Sequence, residues 1–123
     1  MIIGLGIDIA SCERFRREDE RFGDDFMLKI FNPDEIKLCR ASRNPYEYFA
    51  AFFAVKEAAM KALGIGLADG ASFLEITVDI SDFVNVRVEG NMFSMAERKA
   101  VSKMHASFSC SGDIAVAVVV AEG

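Results

Sequence analysis

Tyr48-Phe49-Ala50-Ala51-Phe52-Phe53-Ala54-Val55-Lys56-Glu57-Ala58-Ala59-Met60-Lys61-Ala62-Leu63 decides how the chain folds. Strong helix formers dominate it, and its apolar residues run almost all the way round a helical wheel. That predicts a largely buried helix, since a surface helix keeps one polar face. Pro45 suits the first turn and Gly64 a left-handed cap, so the helix is expected from about Pro45 to Leu63. Only Lys56, Glu57 and Lys61 carry charge within the stretch. Glu57 and Lys61 are one turn apart on a face shared with Ala50, Phe53 and Gly64, whereas Lys56 points about 100° away. Ions in a buried helix cost several kcal/mol (~) each unless paired or bound. Either Glu57 and Lys61 pair as they reach the surface, or they serve a ligand.

Working outward, Ile2 to Ile9 alternates. Ile3, Leu5, Ile7 and Ile9 share one strand face; Ile2, Gly4, Gly6 and Asp8 share the other. The two glycines leave room for something to approach the backbone closely, next to a carboxylate. Arg14, Arg16, Arg17 and Arg21 fall in one predicted helix among Glu13, Glu18, Asp19 and Glu20, a pattern that by itself suits a solvated face. Asn32-Pro33-Asp34-Glu35 is a helix start with Asn as N-cap. Beyond Gly66 and Gly70, Leu74 to Ile80 and Phe83 to Glu89 read as a hairpin turned at Ser81-Asp82. Asn91 to Lys103 reads as an amphipathic helix, and His105 to Ser111 and Asp113 to Ala121 as a second strand pair. The order β-α-α-α-β-β-α-β-β predicts a single α+β domain over residues 1–123, with a mainly antiparallel sheet against the long helix.

The composition excludes several classes. A 52 % hydrophobic chain of 123 residues has ample core and no sign of disorder. The longest apolar run, Ile114 to Ala121, is far short of the roughly 20 residues that span a bilayer. No basic, then apolar, leader is visible, and Cys12, Cys39 and Cys110 show no CxxC spacing, so reduced thiols in a cytoplasmic protein are expected. A net charge of −5 disfavours nucleic acid, and no membrane association is expected. His105, the only histidine, reads as structural.

The chemistry converges on Asp8, Glu57, Lys61 and the loop Gly64-Ile65-Gly66. Neither a Walker A loop nor GxGxxG fits, because Lys61 precedes its glycines and Gly4-x-Gly6 lies within a strand. Two carboxylates with open positions suit Mg²⁺, whose remaining sites take water and phosphate oxygens. Exposed amides after the glycines suit phosphate. The pattern points to phosphoryl transfer or pyrophosphate handling.

At these residues the chain resembles a known family. Gly4-Leu5-Gly6-Ile7-Asp8-Ile9 is similar to the GIGxDI opening of the holo-acyl-carrier-protein synthases. Phe53-Ala54-Val55-Lys56-Glu57-Ala58-Ala59-Met60-Lys61-Ala62-Leu63-Gly64-Ile65-Gly66 is similar to their FAxKEAxxKAxGTG signature. The resemblance covers nearly the whole chain. It implies a 4'-phosphopantetheinyl transferase fold and Mg²⁺ held by Asp8 and Glu57. Lys61 would contact the phosphates of coenzyme A, with Gly64 and Gly66 along the nucleotide. It further implies a homotrimer with interfacial active sites, and an arginine helix (Arg14, Arg17, Arg21) that docks an acidic apo acyl carrier protein. The activity implied is transfer of 4'-phosphopantetheine from coenzyme A to a carrier serine, leaving 3',5'-ADP. The proton acceptor could be a metal-bound water, Glu57 or Glu35.

Four positions depart from the family pattern. Phe52 stands for an arginine and Ile65 for the threonine of GTG. Asn85-Val86-Arg87 lies where a GxP motif is expected, and Cys110 closes Ala106-Ser107-Phe108-Ser109-Cys110 where the family has histidine. Ser109 and Cys110 would then line the nucleotide pocket, and Arg43 would supply charge for a 3'-phosphate. These departures leave two alternatives: a degenerate paralogue that binds a carrier protein or nucleotide without transfer, or an interaction domain whose helix charges are simply paired.

Overall fold

The computed structural model describes residues 1–123. Its elements run β1 (Ile2–Ser11), α1 (Cys12–Phe22), α2 (Asp24–Met27), α3 (Pro33–Ala41), α4 (Pro45–Leu63), β2 (Ile76–Ile80), β3 (Val84–Val88), α5 (Gly90–Arg98), β4 (Lys103–Ser111) and β5 (Ile114–Glu122). Short 3-10 turns occupy Leu67–Asp69 and Phe73–Glu75. The α+β class and the antiparallel pairing match the sequence reading, but the strands form two sheets. One is ordered β1-β5-β4 and the other pairs β2 with β3.

The long helix starts at Pro45 and ends at a left-handed Gly64, as its sequence requires. One side packs on the three-stranded sheet through small residues. A Cβ on Gly4 would lie 1.8 Å from the carbonyl oxygen of Ala62, and one on Gly6 would lie 1.9 Å from that of Ala58. Strand and helix are commensurate here, because two strand residues advance about 6.6–6.8 Å and four helical residues about 6.0 Å. The partner that the two glycines admit is therefore the α4 backbone. Ala115, Ala117, Val119 and Ala121 of β5 complete this buried face.

The other side of α4 is aromatic. Phe53 meets Phe15 at 5.4 Å and Phe73 at 5.4 Å between ring centroids, and Phe49 meets Phe31 at 5.2 Å. Lys56 is fully buried on this side. Its ammonium donates to Glu35 Oε1 at 2.8 Å and to the carbonyls of Ile30 at 2.8 Å and Phe73 at 3.0 Å. Glu35 also accepts from the amides of Asn32 and Val78, so the pair ties α3, α4 and β2 together. Burial pushes the Lys56 ammonium down, and Glu35 beside it pushes back. This overturns Glu35 as a candidate proton acceptor: it is sealed in the core, and both its oxygens already accept hydrogen bonds there.

Two boundaries differ from expectation. The helix predicted over Asn91 to Lys103 stops at Arg98, because Ala100 takes a left-handed φ of 60° and Val101 bonds back to the Ala96 carbonyl. That end normally calls for glycine, which hid it in the sequence. The first hairpin strand starts at Ile76, since Phe73–Glu75 winds into a turn. Cys12, Cys39 and Cys110 are free thiols, and no helix is long and apolar enough to cross a membrane.

On the outer face of the larger sheet, Leu5, Ile7 and Ile9 are 65, 60 and 62 % exposed. They neighbour Val120, Val118 and Val116 of β5 in register. One chain therefore leaves a broad aliphatic sheet face uncovered.

Two substitutions test these contacts. Gly6→Ala pushes α4 off the sheet and lowers stability by about 3 kcal/mol or more, read as a shift of the urea midpoint. Glu35→Ala leaves the Lys56 ammonium buried without its counter-ion and costs about 3–5 kcal/mol. A Glu35→Gln/Lys56→Met double variant recovers much of that loss in the same titration.

Candidate functional site

The face of β1 that carries Gly4 and Gly6 next presents Asp8, which the strand–helix contact sets beside α4. Lys61 reaches across, donating to Asp8 Oδ1 at 2.8 Å and to the Ile7 carbonyl at 3.1 Å. Of the two alternatives for Glu57 and Lys61, pairing with each other does not occur, and Lys61 pairs across elements with Asp8. Glu57 is held near it without a hydrogen-bonded partner. Its carboxyl is pushed above the usual carboxylate range, first by partial burial and next by the charge of Asp8, while Lys61 and Arg14 pull the other way. The Lys61 ammonium is raised, chiefly by its hydrogen bond to Asp8.

Asp8 and Glu57, whose carboxyl the Asp8 charge helps to raise, are the two carboxylates here that could hold a divalent cation. No cluster of three or more metal-ligating side chains exists. A cation held by these two carboxylates alone would have to be one, such as Mg²⁺, whose other positions take water or phosphate oxygens.

Arg14 flanks Glu57 from α1, its guanidinium 5.8 Å from the Phe53 ring centroid. Arg17 and Arg21 follow on the same helix, Arg21 stacking on Phe22 at 5.2 Å. Arg16 is taken up by Glu13 and Glu20, so the arginines free of carboxylate partners on this helix are the three singled out from the sequence. The sequence assigned Arg14 to partner docking only. Its action on Glu57 depends on how α1 packs on α4, which spacing does not disclose.

The glycine loop departs from expectation. The Gly64 amide donates to the Lys61 carbonyl, that of Ile65 to Met60 and that of Gly66 to Asp69 Oδ2 at 2.9 Å. The loop thus offers open space but no free amide at these three residues. Its Gly64 is met by Lys99 of α5's C-terminal cap, whose Nζ would lie 3.9 Å from a Cβ there.

The remaining candidates lie elsewhere. Arg43 precedes the start of α4, which is about 24 Å from the Lys61 turn at 1.5 Å per residue. Ser109 and Cys110 are on β4, two strands from β1, and point to opposite faces. Ser109 is exposed on the outer face, while the Cys110 thiol turns inward toward the Glu47 carbonyl at 3.8 Å. Phe52 is fully buried against Tyr48 and Phe108. A single chain therefore holds two groups of candidates: Asp8, Glu57, Lys61 and Gly64 near the end of α4, and Arg43, Ser109 and Cys110 near its beginning.

Comparison with known proteins places the family. The holo-[acyl-carrier-protein] synthase of Maridesulfovibrio salexigens is 44 % identical over 99 % of each chain. The crystal structure of the Neisseria meningitidis holo-[acyl-carrier-protein] synthase superposes with a TM-score of 0.88 at 32 % identity, covering 100 % of both chains. That of the Helicobacter pylori synthase in complex with coenzyme A gives 0.83 at 32 % identity, over 96 % of this chain and 99 % of that one. With the family model for the 4'-phosphopantetheinyl transferase superfamily matching residues 4–119, the chain belongs to that superfamily.

Proposed function

We infer that this chain is a holo-acyl-carrier-protein synthase, moving 4'-phosphopantetheine from coenzyme A to a serine of apo acyl carrier protein. The observation that carries the reading is the conjunction of Asp8, Lys61 and Glu57 at one surface point in a chain 44 % identical to a protein of that name. Asp8 and Glu57 would hold Mg²⁺, which when bound neutralises the coenzyme A diphosphate and favours attack at phosphorus. Lys61, exposed and bonded to Asp8, would exchange that contact for a phosphate oxygen of the substrate. The carrier serine oxygen forms the new bond to the β-phosphorus. The bond from that phosphorus to the oxygen bridging to 3',5'-ADP breaks, with Lys61 offsetting charge on the departing group. The Glu57 carboxylate, which has no hydrogen-bonded partner in the chain, or a water beside it, would accept the serine proton.

Arg14, Arg17 and Arg21 present a local positive strip on a chain of net charge −5, which steers an acidic carrier to the mouth of the site. The two separated groups of candidate residues and the uncovered aliphatic sheet face have one common explanation. In a homotrimer the sheet faces bury one another, and Arg43, Ser109 and Cys110 of one copy complete the site of the next. Buried Phe52 in place of arginine is the observation that favours the second reading, a paralogue that binds without transferring.

Intact-mass spectrometry of an apo carrier protein with coenzyme A and Mg²⁺ separates these. The transferase adds one phosphopantetheine, EDTA abolishes the gain, and Asp8→Ala or Glu57→Ala lowers the rate by about 10³-fold or more; no gain with folded wild type leaves the binding reading. The carboxylate repulsion gives a second test. Because the Glu57 carboxyl is raised in the fold, its ionisation opposes folding fully above the raised value and not at all below 4.5. Glu57→Gln therefore raises the metal-free melting temperature at pH 7 but not at pH 4, and Mg²⁺ stabilises wild type more than the variant. Assembly is read by sedimentation: Ile7→Asp converts a trimer to folded monomers and removes transfer.

A further inference from the structure

The phosphate groups of coenzyme A need donors, and the loop Gly64-Ile65-Gly66 has none to give. All three of its amides are spent within the chain, on Lys61, Met60 and Asp69. What the loop provides is space beside an exposed, left-handed Gly64 (φ 67°) at the end of α4. Any anchoring there falls to side chains, and two ammonium groups are within reach. Lys61 is engaged by Asp8 Oδ1 and the Ile7 carbonyl. Lys99 is exposed, makes no salt bridge or side-chain hydrogen bond, and sits against Gly64 with its Nζ 3.9 Å from where a Cβ would be.

That placement is built by α5. Met95 lies one helical turn before Lys99 on the same face, and its Cε packs 3.6 Å from the Cβ position of Gly70 at the other end of the loop. The left-handed Ala100 then ends the helix directly after Lys99. Met95 and Lys99 therefore follow the loop from Gly70 to Gly64.

Charge points the same way. Lys61 and Arg14 lie beside the carboxylates Asp8 and Glu57, whereas the Gly64 side of the loop has no cation other than Lys99 set against it. Lys99 is the cation placed to meet a phosphate on that side.

We propose that Lys99 is a substrate-binding residue that holds a phosphate group of coenzyme A over Gly64. This rests on the transferase reading for the identity of the ligand. Its competitor is purely structural: a cation at the C-terminus of α4 also stabilises that helix.

Calorimetric titration of Mg²⁺-loaded protein with coenzyme A decides between them, alongside thermal melting and the transfer assay. Lys99→Met weakens coenzyme A binding about tenfold, as loss of one charge-assisted contact does. Lys99→Arg stays within about twofold of wild type, and the salt dependence of binding is shallower in Lys99→Met. Dephospho-coenzyme A separates the two phosphate sources: the deficit persists if Lys99 serves the diphosphate and vanishes if it serves the 3'-phosphate. Unchanged coenzyme A affinity in Lys99→Met, with or without a lower melting temperature, overturns the proposal. Wild type that binds coenzyme A but transfers nothing overturns the transferase reading alone, because the affinity comparison still decides Lys99. Wild type that does not bind coenzyme A overturns both.

Discussion

The fold depends on the contact between two backbones. The carbonyls of Ala58 and Ala62 lie where Gly4 and Gly6 would otherwise carry a Cβ, so α4 rests on β1 with no side chain between them. Because the strand alternates, the same face that admits the helix at Gly4 and Gly6 next presents Asp8. The pairing of Asp8 with Lys61 follows from it. The glycines serve the site indirectly, by letting the helix come close enough for groups on two elements to meet.

The three charges in the second half of α4 divide into two kinds by rotation alone. Lys56 turns inward, where Glu35 and two carbonyls satisfy it. Glu57, one residue and about 100° on, turns toward the surface. The inner pair costs much to desolvate and is retained only with every donor and acceptor matched. By joining α3, α4 and β2 it fixes the rotation of α4, and with it the direction of Glu57. The outer carboxylate, lacking a hydrogen-bonded partner beside Asp8, is left in the electrostatic state a metal or proton would relieve.

The three-stranded sheet is finished on one side only. Its inner face is packed with alanine and glycine under α4, whereas its outer face carries Leu5, Ile7 and Ile9 to solvent. Burying these side chains in an assembly is worth roughly 1.5–3 kcal/mol each relative to exposure. An isolated chain leaves this surface in water, which is where the proposed assembly would gain its free energy.

The sequence by itself determined the class of fold, the span and burial of α4 and the helix start at Asn32, because each rests on local periodicity or capping; the grouping of Asp8 with Glu57 and Lys61 came from the likeness of two separate motifs to one family. The end of α5 escaped it, since Ala100 adopts a conformation that alanine does not advertise. The tertiary structure alone decided which carboxylate pairs with which lysine, that Glu35 is sealed in the core, that the loop amides are spent, and that Lys99 meets Gly64. It also parted Arg43, Ser109 and Cys110 from the residues they were grouped with. The physical reason is the same in each case: hydrogen bonds and ion pairs depend on distances between segments remote in the chain, and those distances are set by how closely α4 packs on β1 and its neighbours.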